Sequence, residues 1–386
     1  MDLKARWPGA LVLLVLAAAC TSGVARLDNE GDVSPEALLA GRDLQPGVST
    51  FRVPSPEELL ALSPEMESFV DAHVDRSSGS FVKLNQLLRA IISEGTFGLE
   101  YDDRTRTAAE TFRARRGNCL SFSALFVAMA RAAGLRVDFQ EVDIPPDWSF
   151  RDDAYVLNRH VNVRIDLGVA GEHIVDFNID DFRASYDRRT IDDARALAHY
   201  YNNIGVERME AGDVAGALAC FRTAIADNDP TFAPAWTNLG TLYGRERLLD
   251  HAEAAYLEAL RADPEALVAM SNLASLYARR GDAEYSAAYR SRVAQHRNRN
   301  PYYRYHLARE AFFDRDFDGA IRHLKHAVRD RPGEDRFWFL LGLCHLQKGN
   351  EAAARRWISR AEEVAATEAL KRSYAGKIDL LLRGDE

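Results

Sequence analysis

Apolar positions along this chain follow two periods, and the period changes twice. Ser55-Pro56-Glu57-Glu58 and Ser63-Pro64-Glu65 are helix starts, each with a cap hydroxyl and a proline at the first helical position. Phe81, Leu84, Leu87, Leu88, Ile91 and Ile92 recur at helical spacing, which predicts a helix with one buried face that Gly95 stops. A short helix is expected over 105–115. A nearly apolar one follows Gly117-Asn118-Cys119 and runs to Ala133, where Gly134-Leu135 supplies a left-handed stop and its hydrophobic contact. The period then drops to two. Val137, Phe139 and Val142 predict a strand, Val161, Val163, Ile165 and Leu167 alternate strictly, and His173 to Phe177 forms a further extended run. Pro145 to Arg159 between them reads as a loop. Helices first and strands afterwards predict an α+β domain over 55–190.

From Ala196 onward the period is helical again and the pattern repeats. Leu239, Leu273, Leu307 and Leu341 stand 34 residues apart, and each precedes a small residue: Gly240, Ala274, Ala308 and Gly342. Trp236, Leu239, Gly240 and Tyr243, then Ala252 and Tyr256, then Pro264, spell out one complete copy; Trp338, Leu341, Gly342, Ala354 and Ile358 spell out another. Ala217 and Phe221 before Pro230, and Ala320 and Leu324 before Pro332, fit in their second helices. The copy over 267–300 is degenerate, with Ser286 and Arg290 where the pattern wants alanine and an aromatic. Small residues let paired helices approach, large ones fill the gap, and proline ends the second helix. This pattern resembles the tetratricopeptide repeat. It implies an all-α solenoid over 196–383, five repeats across about 198–368 and a capping helix near 371–382.

The 386 residues are 47% hydrophobic and 28% charged, as in a globular protein, and the net charge of −9 disfavours nucleic acid as a partner. The first segment, 1–19, reads as a secretory signal: Lys4 and Arg6, an apolar run from Ala10, then Ala17-Ala18-Ala19. With Cys20 after it, the segment resembles the lipobox of bacterial lipoproteins, although Ala17 stands where leucine is commonest. That resemblance implies lipidation at Cys20 and membrane attachment through the lipid. Thr21 in place of aspartate implies the outer membrane, facing the periplasm. Residues 20–54 read as a tether.

Cys119 follows Gly-Asn and opens a helix, where unsatisfied amide groups favour negative charge and so a thiolate. His160 heads the alternating strand. With the next strand folded back about Gly168, position 160 falls opposite Asp176, where a carboxylate would orient the imidazole. Cys220 and Cys344 lie inside repeat helices and read as packing residues. Thr105, Thr107-Ala108, Gly117-Asn118-Cys119-Leu120-Ser121, Arg131 to Leu135, Arg159-His160-Val161 and Val175-Asp176 together resemble the transglutaminase-like superfamily of papain-type folds. Val161 departs from the aromatic that often follows the histidine there. The resemblance implies that Cys119 is the acyl-accepting nucleophile, His160 the base and Asp176 its orienting partner. The implied chemistry is hydrolysis of an amide or peptide, or transfer of its acyl group to an amine. The rival is a lipid-tethered scaffold whose papain-like head only binds.

From Tyr285 to Arg309 six arginines occur with no acidic residue. Arg290, Arg292, Arg297, Arg299, Tyr302, Tyr303, Arg304 and Tyr305 are therefore candidates for a protein or peptide partner, an acidic one by charge, the plainer reading being a solvated basic helix. The aspartate pairs at 152–153, 180–181 and 192–193 lack calcium-loop spacing, His323 and His326 lack a third ligand, and no glycine loop cradles phosphate. Neither metal nor cofactor is expected.

Overall fold

In the structure, a computed structural model, residues 33–44, 47, 49–92, 98–142, 148–151, 154–157, 160–177 and 187–382 are described. The signal segment and Cys20 lie outside them. Helices α1 (Pro35–Ala40), α2 (Pro56–Leu59), α3 (Pro64–His73) and α4 (Ser80–Ile92) come first. Ser34, Ser55 and Ser63 cap the first three through their hydroxyls, each with proline in the first turn. On α4, Leu84, Leu87 and Ile91 are buried as expected, but Phe81 is 57% exposed. It stands in the first turn of the helix, ahead of the segment that packs.

Strand β1 (Glu100–Tyr101) pairs with β2 (Arg116–Gly117), and α5 (Ala108–Ala114) lies between them. The apolar helix α6 (Cys119–Ala132) follows. Its end is as expected: Gly134 is left-handed at φ 77°, and the Leu135 amide donates to the Ala130 carbonyl. The sheet holds β3 (Arg136–Val142), β6 (His160–Asp166), β7 (Glu172–Val175) and β8 (Arg188–Ile191) in the order β7-β6-β3-β8, all antiparallel. Val137, Phe139, Val161, Val163, Ile165, Val175 and Ile191 join one core with α6.

Two features depart from the expectation. The stretch read as a loop before His160 contains a hairpin, β4 (Trp148–Arg151) with β5 (Ala154–Leu157). And β8 is silent in the sequence, because Arg188, Arg189 and Thr190 are polar and the strand pairs on one side only.

The remainder is helical. Five pairs run α7 (Asp193–Glu210) with α8 (Val214–Arg222), α9 (Ala233–Arg245) with α10 (Leu249–Ala262), α11 (Leu267–Arg280) with α12 (Ala283–Arg299), α13 (Pro301–Phe313) with α14 (Phe317–Asp330), and α15 (Asp335–Gln347) with α16 (Glu351–Val364). Helix α17 (Glu368–Leu382) caps the array. The repeat pattern has a direct physical basis. A Cβ on Gly240 would meet the Tyr256 ring at 2.6 Å, and one on Gly342 would meet Ile358 at 2.5 Å. Trp236 and Trp338 each donate their indole N–H to the carbonyl of the proline that ended the preceding helix, Pro230 and Pro332, at 2.9 and 2.8 Å.

The head and the first repeats share one hydrophobic core, which runs from Leu38 to Val293. A separate cluster gathers Ala308, Leu324, Phe337, Leu341 and their neighbours. Between the two, Asn300 is a one-residue joint: it ends α12 in an extended conformation and caps α13 by accepting from the Tyr302 and Tyr303 amides. The head also docks through charge. Buried Glu141 on β3 accepts from His199 at 2.6 Å and Arg195 at 2.7 Å on α7, and Arg195 reaches on to Asp229. Burial alone would raise the Glu141 carboxyl, but His199 and Arg195 hold it far below the usual carboxylate range. Residues 34–44 and 49–54, within the stretch expected as tether, instead lie along the repeats. Leu38 is fully buried, the Tyr243 hydroxyl donates to its carbonyl at 2.5 Å, and the Tyr201 hydroxyl donates to that of Pro54 at 2.8 Å.

Candidate active site

Cys119 is positioned by a network of small polar residues. Asn118 caps α6, its side-chain oxygen accepting both the Ser121 amide and the Ser121 hydroxyl at 2.9 Å. The other half of its amide donates to Thr105 Oγ1 at 2.8 Å. The Arg106 amide donates to Ser121 Oγ at 2.9 Å. Thr107 opens α5 with a capping box that Glu110 completes. Gly117 is obligatory for packing, since a Cβ there would come within 2.6 Å of the Ser121 Cβ. Thr105, Thr107, Gly117, Asn118 and Ser121 all belong to the sequence motif: Asn118, with Thr105 and Ser121, builds the cap of α6, Thr107 caps α5, and Gly117 leaves room for Ser121. The support extends into the repeats: Glu207 on α7 accepts from the Thr105 amide at 2.8 Å.

His160 is the first residue of β6, and it is 5% exposed. Ser123 on α6 donates its hydroxyl to the Val161 carbonyl at 3.2 Å, tying the helix start to the strand start. One ring nitrogen of His160, Nε2, stands 2.8 Å from both oxygens of Asp176. The Cys119 thiol is within hydrogen-bonding reach of the same imidazole. Burial opposes charge on the ring. The Asp176 and Cys119 hydrogen bonds, and the charges of those groups, outweigh it and push the imidazole up to about 10. The three residues named from the sequence therefore meet.

Their register does not follow the simple hairpin. Val163 faces Val175 and Asp166 faces Glu172, with a 3-10 turn at Gly168–Ala170. Continued outward, that pairing sets Asp176 opposite Asn162, diagonal to His160 and not opposite it. The turn is longer than a fold about Gly168 alone, because Gly168 and Gly171 are both left-handed, at φ 64° and 86°. The diagonal still works, since residues two apart on a strand share a face.

Asn162 is the functional residue the sequence did not disclose. It is fully buried, and its Nδ2 donates to Asp176 Oδ2 at 2.9 Å. The carboxylate is thus held from two sides, by the imidazole and by an amide that cannot lose a proton. A lone asparagine in an alternating strand carries no signal of this kind.

The other cysteines are different. Cys220 and Cys344 are completely buried, and burial pushes each thiol up to about 12. Of the eight candidate partner residues, Arg290, Arg297 and Tyr303 line one cleft. Tyr302 and Tyr305 instead pack their rings on Phe337 at 5.4 and 4.9 Å. Arg304 is engaged with the Asn298 carbonyl and His323. Arg292 and Arg299 do not line the cleft.

Residues 69–156 match the model of the transglutaminase-like superfamily, and residues 202–266 and 305–369 match that of the tetratricopeptide repeat. The first match ends before His160 and Asp176, and the second skips the degenerate copy. No curated protein matches the chain. Among solved structures, YrrB, titled a TPR protein with an unusual peptide-binding site, is 18% identical over 46% of this chain and 92% of its own, with a TM-score of 0.24. A MamA structure is 21% identical over 46% and 95%, with a TM-score of 0.24. PilF of Pseudomonas aeruginosa is 14% identical over 50% and 95%, with a TM-score of 0.26. At such TM-scores none of them bears on what this chain binds. The family matches and the fold agree: this chain carries a transglutaminase-like domain followed by tetratricopeptide repeats, a catalytic-type domain joined to a protein-interaction array.

Proposed function

We propose that the head is a cysteine-dependent acyl-transfer enzyme acting on amide or peptide bonds. The observation that carries this reading is the His160 imidazole held between Asp176 and the Cys119 thiol. In the first step the Cys119 sulfur, its proton already held by the His160 imidazole, attacks the carbonyl carbon as the thiolate. Asn118 has taken the Ser121 amide. The amides of Cys119 and Leu120, at the helix start, are left to receive the oxyanion. The imidazolium then gives its proton to the departing amine and a thioester remains. Water attacking the thioester gives hydrolysis; an amine gives transfer. Asp176 stabilises the imidazolium throughout, and Asn162 keeps that carboxylate turned toward the ring.

The test is alkylation of the whole chain with iodoacetamide at pH 7, followed residue by residue by mass spectrometry. Cys119 is expected to react at least roughly tenfold faster than in His160→Ala, because the thiolate is the reacting form. Cys220 and Cys344 serve as inert internal controls. Equal rates in the two proteins would reject the enzyme and leave the scaffold reading. The lipobox-like segment supports placement in the cell envelope, on a lipid at Cys20. Incorporation of labelled palmitate, abolished by Cys20→Ala, is the expected result.

A further inference from the structure

In the regular copies a large side chain closes the space beside the small residue of the first helix. Phe221 does so against Gly205, Tyr256 against Gly240 and Ile358 against Gly342, where a Cβ would come within 2.5 to 2.6 Å. In the third copy the corresponding pair is Ala274 and Arg290. Arg290 is exposed and does not pack there. Ser286, in the place of the usual alanine, donates to the Ala274 carbonyl at 2.9 Å and still holds α12 to α11. Beside this pair lies a cleft of about 400 Å³, lined by Ser271, Ala274, Arg290, Val293, Arg297 and Tyr303 among others.

Two groups in the cleft ask for the same kind of ligand. Arg290 makes no ion pair among the described residues, and a guanidinium can only donate. Ser271 is 5% exposed, and its hydroxyl is buried without a hydrogen-bond partner. Buried polar groups are ordinarily paired. A hydroxyl from α11 and a guanidinium from α12, lining one cleft, can both donate to one acceptor, and no acidic residue lies between Tyr285 and Arg309 to supply it from within. Val293 and Ala274 give the cleft an apolar floor, and Tyr303 offers a ring.

We propose that this cleft binds the carboxylate of an acidic peptide segment, which accepts from Arg290 and from the Ser271 hydroxyl while its stem lies on Val293. The degenerate repeat is then a binding device, made by removing the large apolar side chain that closes the others. The site goes beyond the acyl-transfer reading and does not depend on it.

The experiment is fluorescence anisotropy of the whole chain with fluorescein-labelled hexaglutamate, against hexaglutamine, at low and physiological salt. Hexaglutamate is expected to bind and hexaglutamine not. Arg290→Glu should weaken binding by about tenfold or more, since it replaces a charge-assisted bond with repulsion. Ser271→Ala should weaken it roughly threefold to tenfold. The melting temperature should be unchanged, because the hydroxyl has no bond to lose in the free protein. Equal binding of the two peptides, or wild-type binding by both variants, overturns the proposal. Attraction to the basic stretch in general would show as binding that salt abolishes and neither variant alters, and it too would overturn the proposal. Cys119 alkylation in the same variants should stay at the wild-type rate. A failure of the acyl-transfer reading appears in that rate alone.

Discussion

The first three repeats and the last two are built from one pattern, yet they differ in what they stand on. The near half shares its core with the head and is pinned to it by buried charge, by Glu207 on Thr105 and by the N-terminal strap. The far half, from Ala308 on, packs mainly on itself. The position of the cooperative boundary follows from this. Composition puts a domain border near 190, where strands give way to helices, but core and hydrogen bonds run straight through it. The break lies near 300, inside a run of helices, where one repeat has lost its filler.

The comparison can be broken most severely at Glu141. Glu141→Ala takes away the buried carboxylate that Arg195 and His199 share, although Arg195 keeps Asp229, and should cost about 3–5 kcal/mol. Hydrogen exchange should rise in β3 and α7 while α15 and α16 keep their protection. Equal loss in all four would mean that the two halves unfold as one. Leu341→Ala makes the converse change, a cavity in the far core worth about 3 kcal/mol. Thermal unfolding should then split, the far half melting first while the head's near-ultraviolet signal persists.

Acidity separates the halves more gently. The His160 imidazole is raised in the folded state, so its contribution to stability is complete below about 6.5 and is lost as pH rises toward about 10. The head should lose stability across that window, and the loss should vanish in His160→Gln. Unfolding of the far half should show no such His160-dependent slope. A smaller effect is expected at the triad's support. Asn162→Ala should slow Cys119 alkylation across the neutral part of its pH profile and leave the fold intact; Asn162→Ser should recover some of the rate. A profile unchanged in both variants would leave Asn162 a packing residue. Tyr201→Phe is the mildest cut, about 1 kcal/mol for the strap bond to Pro54.

Much of this was legible because it rests on local chemistry. The prolines and serines of α2 and α3, the glycine stop of α6, the repeat ladder and the Gly117 to Ser121 cap all act within a few residues of their own position. What escaped depends on pairing at a distance. The hairpin register was two residues off because the turn holds two left-handed glycines, and nothing local counts the length of a turn. Asn162 matters only because Asp176 arrives beside it. The strap over 34–44 and 49–54 looked like a tether because Leu38 and Leu44 are too few to make a pattern, yet both find places in a core assembled by the repeats.

The Asn300 joint has a consequence for descent. A recombination event at residue 192 would sever Glu141 from Arg195 and His199 and strand the strap, so the head cannot readily be inherited apart from its first three repeats. A crossover at Asn300 would part α12 from α13 at a single extended residue and would break less, chiefly Tyr303's place in the cleft and the Arg331–Asp187 ion pair. The last two repeats and the capping helix are thus the more separable portion of this chain, while the active site stays with the first three repeats and with all of the cleft's lining except Tyr303.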